Sequence, residues 1–259
     1  MKTFNVLLVL KMRNKTLLIC ISFLIMNTAF TQTIKRYQIS KDIELIQISE
    51  HAFVYVSYSE LPGFGRFPSN GLLYTENGKA FLFDTPANDS LTKTLLTWID
   101  DSLKIKIIGF VPNHWHADCM GGLRYLQSKN IISYANNKTI EIAKKGYLPI
   151  PMHRFKDSLQ LHIDNKTIMC YYLGAAHSID NIVVWIPSES ILFAGCMVKS
   201  LESQNLGNTA DGDLTAYPQT IEKLIQKFPN AKIVIPGHGN FGGFDLIIHT
   251  KELLGKINN

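Results

Sequence analysis

The sequence predicts an α+β fold in which two packed sheets carry helices on their outer faces. Three observations point to it. Short apolar runs with strand-like alternation recur along the chain. Stretches with helical spacing follow them in each half. The second half then repeats the order of element types found in the first.

The elements can be justified in order. "IELIQI" (43–48) and "FVYVSY" (53–58) alternate with period two and read as strands. "NGLLYTENGKAFLFDTP" (70–86) reads as two strands around an Asn-Gly turn at 77 and 78. Residues 88–103 have helical spacing, with Leu91, Leu95 and Ile99 on one face. "IKIIGFVP" (105–112) is a strand, "GLRYLQSKN" a helix and "IISYA" (131–135) a further strand. Strands follow at 159–163, 166–173, 181–186 and 190–194. Ile221, Leu224, Ile225 and Phe228 then mark a helix over 217–228. "AKIVIPGHG" (231–239) is a strand running into a loop, and a last helix covers roughly 243–255.

Length and composition limit the function classes. A chain of 259 residues suits one fair-sized domain after a leader, and 46% hydrophobic content with 18% charge excludes a disordered chain. Residues 1–31 read as a signal peptide: Lys2, Lys11, Arg13 and Lys15 precede the apolar run "LLICISFLIM", and "NTAFTQ" suits cleavage. That run is too short for a stable membrane anchor, so a periplasmic protein with one domain over 32–259 is expected. Without the leader, 22 basic residues face 21 acidic ones, which removes any case for a nucleic-acid partner. Three cysteines then remain, Cys119, Cys170 and Cys196. Their odd number argues against a disulfide framework, and Cys170 in "TIMCYYL" reads as a buried strand residue.

The chemistry concentrates at strand ends. "NHWHADCMGG" (113–122) offers His114, His116 and Asp118. "GAAHSIDN" offers His177, "LFAGCMVK" Cys196 and "PGHGNFGG" His238. Imidazole, thiolate and carboxylate together suit zinc, and six such groups can fill two three-ligand sites, each with a position left for water. Alternate residues of an extended loop point opposite ways, so "HxHxD" must bend for its three side chains to converge. Singly, each motif has a blander reading: HxH on a surface, "FAGC" in a core, Gly-His-Gly in a turn. Their joint placement beside strand ends and glycines is what favours a metal.

With "GAAHSIDNIVVW", "LFAGCMVK", "NLGNTADGDL" and "VIPGHG" following in order, the chain resembles class B metallo-β-lactamases of the two-zinc subclass from roughly residue 36 to 257. The resemblance implies a four-layer αβ/βα sandwich. It places a first zinc on His114, His116 and His177, and a second on Asp118, Cys196 and His238. It implies hydrolysis of the β-lactam amide of penicillins, cephalosporins and carbapenems by a hydroxide shared between the ions. Asp118 would then belong to the catalytic centre as well as to the ligand set. It gives Lys199 the substrate carboxylate and Asn208 the developing oxyanion. "ELPGFGRFPSNG" (60–71) resembles a mobile flap, with Phe64 and Phe67 as apolar cover. Asp84, in "FDTP", would support the metal loop by hydrogen bonding. One departure stands out: the family often has arginine after the motif aspartate, and this chain has Cys119, to which a place beside the ligands is assigned before a ligand's role.

Two other readings were weighed. Thioester or phosphodiester hydrolases of the same broad fold usually carry histidine after the motif aspartate and a carboxylate bridging the metals, where this chain has Cys119 and Cys196. A non-catalytic exported zinc-binding protein would have no use for Lys199 and Asn208. A monomer with a small-molecule substrate is expected.

Overall fold

The computed structural model describes residues 34–61 and 65–256, all within one compact unit, Thr33–Asn259. The leader expected over 1–31 and the side chain of Phe64 lie outside the described residues.

The first sheet holds eight strands in chain order: β1 (Lys35–Ser40), β2 (Ile43–Gln47), β3 (Ala52–Leu61), β4 (Gly65–Glu76), β5 (Lys79–Phe83), β6 (Lys106–Val111), β7 (Ile132–Asn136) and β8 (His153–Phe155). Pairing is antiparallel from β1 to β5 and parallel from β5 to β8. A parallel step needs a crossover, and helices supply each one. Helix α1 (Asp89–Trp98), extended by a π-helical turn over Ile99–Leu103, joins β5 to β6. Helices α2 (Ala117–Met120) and α3 (Leu123–Ser128) join β6 to β7, and α4 (Asn137–Lys145) joins β7 to β8.

The second sheet has the order β13-β12-β11-β10-β9, from β9 (Ser158–Ile163), β10 (Lys166–Tyr171), β11 (Val183–Ile186), β12 (Ile191–Gly195) and β13 (Ile233–Pro236). Its strands are antiparallel except for β12 and β13, which are parallel and linked through α5 (Tyr217–Lys227). Helix α6 (Asp245–Gly255) follows.

Period-two alternation divides these strands between two faces. Val54, Leu72 and Phe83 meet Ile168, Val184 and Phe193 in a core between the sheets, with Cys170 buried among them. Tyr55, Leu73 and Leu82 face the other way and pack on Leu95, Leu123 and Leu126 of α1 and α3. Val183, Leu192 and Val234 do the same against Ile221, Leu224 and Leu253 of α5 and α6. Helix, sheet, sheet and helix therefore stack as a four-layer αβ/βα sandwich.

Local chemistry sets the boundaries. Asn77 (φ 47°) and Gly78 (φ 74°) both take positive φ in the tight turn between β4 and β5. Asn88 starts α1 by accepting the Leu91 N–H at 2.9 Å. Pro218 in the first turn of α5 costs no helical hydrogen bond. Four elements were not foreseen: β1, α2, α4 and β8. β1 and β8 are the edges of their sheet, and α2 spans only four residues. Helix α4 is nine residues long and polar on average, and it buries only Thr139, Ile140 and Ala143, so its helical pattern is short and easily passed over.

Candidate metal centre

Strands β5, β6, β12 and β13 deliver their following loops to one end of the sandwich. Phe83 pairs with Val111 and Gly195 with Pro236 at the ends of the two parallel pairs. Asp84, Asn113, Cys196 and Gly237 begin within two residues of those ends.

The expected bend in "HxHxD" comes from the start of α2. His114 lies in the bend after β6, His116 caps the helix in extended conformation (φ −64°, ψ 160°), and Asp118 sits in the first turn. His114 Nε2 is thereby brought to 2.8 Å from His116 Nδ1. His177, from the β10–β11 loop, closes the first group, with ring centroids 5.0 Å from His114 and 5.5 Å from His116. Asp118, Cys196 and His238 form the second. Cys196 Sγ lies 3.2 Å from His238 Nε2 and 3.5 Å from Asp118 Oδ2, and Asp118 Oδ2 lies 3.3 Å from His238 Nε2. Within each group the ligand atoms lie inside 4.8 Å of one another.

Both groups have the donors zinc takes: three imidazoles in one, carboxylate, thiolate and imidazole in the other. The protonation of His114, His177, Asp118 and Cys196 agrees, while the carboxylate and thiolate around His238 push its imidazole towards the charged form. Burial pushes the His114 and His177 imidazoles down, which keeps them neutral, and the Nδ1 of His177 is buried without a hydrogen-bond partner among the described residues. Burial alone would raise Asp118, but its hydrogen bond to His238 and the nearby imidazoles outweigh that and hold it well below the usual carboxylate range. The Cys119 thiol, hydrogen-bonded to Cys196, is the largest influence pulling Cys196 down, against burial. The residues fit the metal the family takes.

Outer contacts orient three of the four imidazoles, those of His116, His238 and His114. Asp211 Oδ2 lies 3.0 Å from His116 Nε2. His238 turns Nδ1 to the Pro68 carbonyl at 2.7 Å, and its ring lies against Phe67 with centroids 4.8 Å apart. Asn70 braces the same loop, its Nδ2 donating to the carbonyls of Pro236 at 2.9 Å and Gly239 at 2.8 Å. His114 Nδ1 faces Asn113 Oδ1 and Cys119 Sγ, each at 3.2 Å. Such partners fix tautomer and ring angle. Gly237 has a steric reason to be glycine: a Cβ there would stand 2.3 Å from Cys196 Sγ.

Asp84 is fully buried and takes a left-handed backbone (φ 64°). Its carboxylate accepts the Asn113 N–H at 2.5 Å, directly before His114. Strain of this kind persists where surrounding contacts over-determine it. Cys119 is buried between His114 and Cys196.

An open cavity of about 600 Å³ lies over both groups. His116, Asp118, His177 and His238 line it, while His114 and Cys196 sit behind its wall with 0% and 1% exposure. Lys199 and Asn208 also line it. Lys199 is buried, and its Nζ donates to the Cys196 carbonyl at 2.8 Å. Asn208 Oδ1 accepts the Ala210 N–H at 3.1 Å, which leaves its Nδ2 as the donor end. Phe67 belongs to the lining. Sequence reasoning missed Asp211, Asn70 and Asn113. All three lie inside stretches already recognised, but Asn70 acts on backbone carbonyls about 170 residues away, for which no sequence pattern exists.

Comparison with known proteins agrees with this geometry. A family model described as the metallo-beta-lactamase superfamily matches residues 64–238. The chain is 48% identical over 242 residues to a protein named metallo-beta-lactamase type 2 from Bacteroides fragilis, covering 93% of this chain and 96% of that one. Among solved structures, TMB-1 superposes with a TM-score of 0.81 at 41% identity, covering 85% of this chain and 100% of its own. A metallo-beta-lactamase from Pontibacter korlensis does so with 0.79 at 37% identity, covering 82% and 99%.

Proposed function

The chain belongs to the metallo-β-lactamase superfamily and hydrolyses the β-lactam amide bond of antibiotics, giving resistance, and we propose that it does so as a two-zinc enzyme. One observation carries the metal assignment: two three-ligand groups open on the same cavity. Bound zinc would supply a nucleophile at neutral pH, by lowering the pKa of a coordinated water from 15.7 towards about 7.

The reaction adds water to the lactam carbonyl carbon, breaks the C–N bond, and leaves a carboxylate and a protonated ring nitrogen. Asp118, held in its ionised form, serves as a ligand and hydrogen-bond acceptor, and water supplies the nitrogen's proton. Asn208 Nδ2 donates to the carbonyl oxygen as charge develops there. Lys199 keeps donors to spare after its bond to Cys196 and takes the substrate carboxylate. Phe67 supplies apolar cover, and Phe64 is assigned the same task from sequence. Asp84 holds the metal loop through Asn113.

All six ligands come from one chain, which supports a working monomer. The leader supports a periplasmic location. Among the described residues no helix is long and apolar enough to cross a membrane. An open cavity with few fixed donors supports a broad range that includes penicillins, cephalosporins and carbapenems.

The test is turnover of a chromogenic cephalosporin alongside metal analysis and chelation. Zinc-loaded protein should turn over and stripped protein should not; a fully loaded protein without turnover overturns the assignment. Lys199→Ala should raise KM by about tenfold, the scale of one charged hydrogen bond, with metal content unchanged.

A further inference from the structure

His114 is a ligand with two working faces. Its Nε2 points to His116 and the first group, while its Nδ1 points away, to Cys119 Sγ at 3.2 Å. Cys119 in turn lies against Cys196. His114, Cys119 and Cys196 therefore form a third cluster whose ligand atoms all lie within 4.8 Å of one another. Bond lengths of roughly 2.1–2.3 Å put the donors of a trigonal site about 4 Å apart, so little movement is needed to close on an ion.

We propose that this cluster is a soft-metal site that takes one cuprous ion when neither zinc group is filled. The donor set is two sulfurs and one imidazole, softer than either zinc group. The place is dry: His114 is 0% exposed and both cysteines are 1% exposed, behind the wall of the cavity. Zinc there would need a fourth ligand, whereas a cuprous ion is satisfied by two or three. Charge also balances. Cys196 already stands as a thiolate, so binding releases only the Cys119 proton; His114 takes the ion at Nδ1 with its own proton on Nε2, and the ion with two thiolates keeps one negative charge beside the buried Lys199 ammonium, which interacts with Cys196. Because the site uses Cys196, cuprous ion and the second zinc exclude each other.

The inference is independent of β-lactam turnover and is tested without substrate. Zinc-free protein is titrated anaerobically with cuprous ion from a competing chelator, and X-ray absorption counts its ligands. The expected result is one ion per chain bound by two sulfurs, with no uptake by the two-zinc protein until zinc is displaced. Cys119→Ser should leave one sulfur and weaken binding by more than the roughly 10–100-fold that loss of an outer partner costs. One sulfur in the unaltered protein overturns the proposal without recourse to any variant. So does affinity undiminished from that of the unaltered protein in Cys119→Ser and Cys119→Ala proteins whose circular dichroism is unchanged.

Discussion

His114, His116 and His177 present three imidazoles, two of them held neutral by burial, whereas Asp118, Cys196 and His238 bring a carboxylate, a thiolate and an imidazole pushed towards the charged form. Support differs as well. The first group is steadied by side chains near in space to one ligand each, Asp211 on His116 and Asn113 on His114. The second is steadied by the β3–β4 hairpin, through Pro68 on His238 and Asn70 on its loop. One site is thus oriented by carboxylate and amide contacts, the other by the backbone of a hairpin that also roofs the cavity. The lesson is that the two proposed zinc sites can be loosened separately, by changes on different elements.

The largest effect breaks both groups at once. Chelation to the metal-free state should remove turnover down to the uncatalysed rate, a loss of roughly 10⁶-fold or more, with recovery on zinc addition; residual fast hydrolysis by demonstrably stripped protein would end the comparison. Next is Asp211→Ala, which should weaken zinc at the first group by about 10–100-fold and leave the second near its original affinity, as read by stepwise metal titration. Asn70→Ala should show the mirror image, weakening the second group by about tenfold and sparing the first. If both variants loosen the same ion, the sites are not separately supported.

The smallest effect lies outside the metal end. Tyr74 is buried in the core between the sheets, where its hydroxyl meets Ser188 at 3.1 Å. Burial first, then the charge of Glu189, push its phenol up to about 12 against the pull of the Ser188 hydrogen bond. The unfolded chain loses this proton near pH 10, so the contribution to stability is complete below that value and fades as pH rises towards 12. Tyr74→Phe should lower stability at pH 8 by about 0.5–1.5 kcal/mol and flatten the alkaline decline, with kcat/KM unchanged. Denaturation at pH 8 and 11 reads both.

Much of this architecture was legible in the chain. Val54 and Tyr55 alternate between two cores, Ile221 and Leu224 mark α5, and Asn77–Gly78 fixes a turn. Each is a local pattern whose physics acts over a few residues. The six proposed ligands were legible because zinc chemistry restricts them to few residue types and each lies in a segment that leaves a strand, His177 and Asp118 farther along than the rest. What escaped was non-local or too short. The edge strand β1 alternates over only Tyr37 and Ile39, β8 has three residues, and α4 is short and mostly polar. The hold of Asp211 on His116, across 95 positions, exists only once the fold has formed.

Each three-ligand group draws on both sheets: His114, His116 and Asp118 follow β6, while His177, Cys196 and His238 belong to the second half. An ion in either place would consequently be a rivet between the two halves of the sandwich as well as a reagent. Surroundings that withhold zinc would then shorten the enzyme's lifetime along with silencing it, because the emptied protein loses its fastening and opens more readily to proteases.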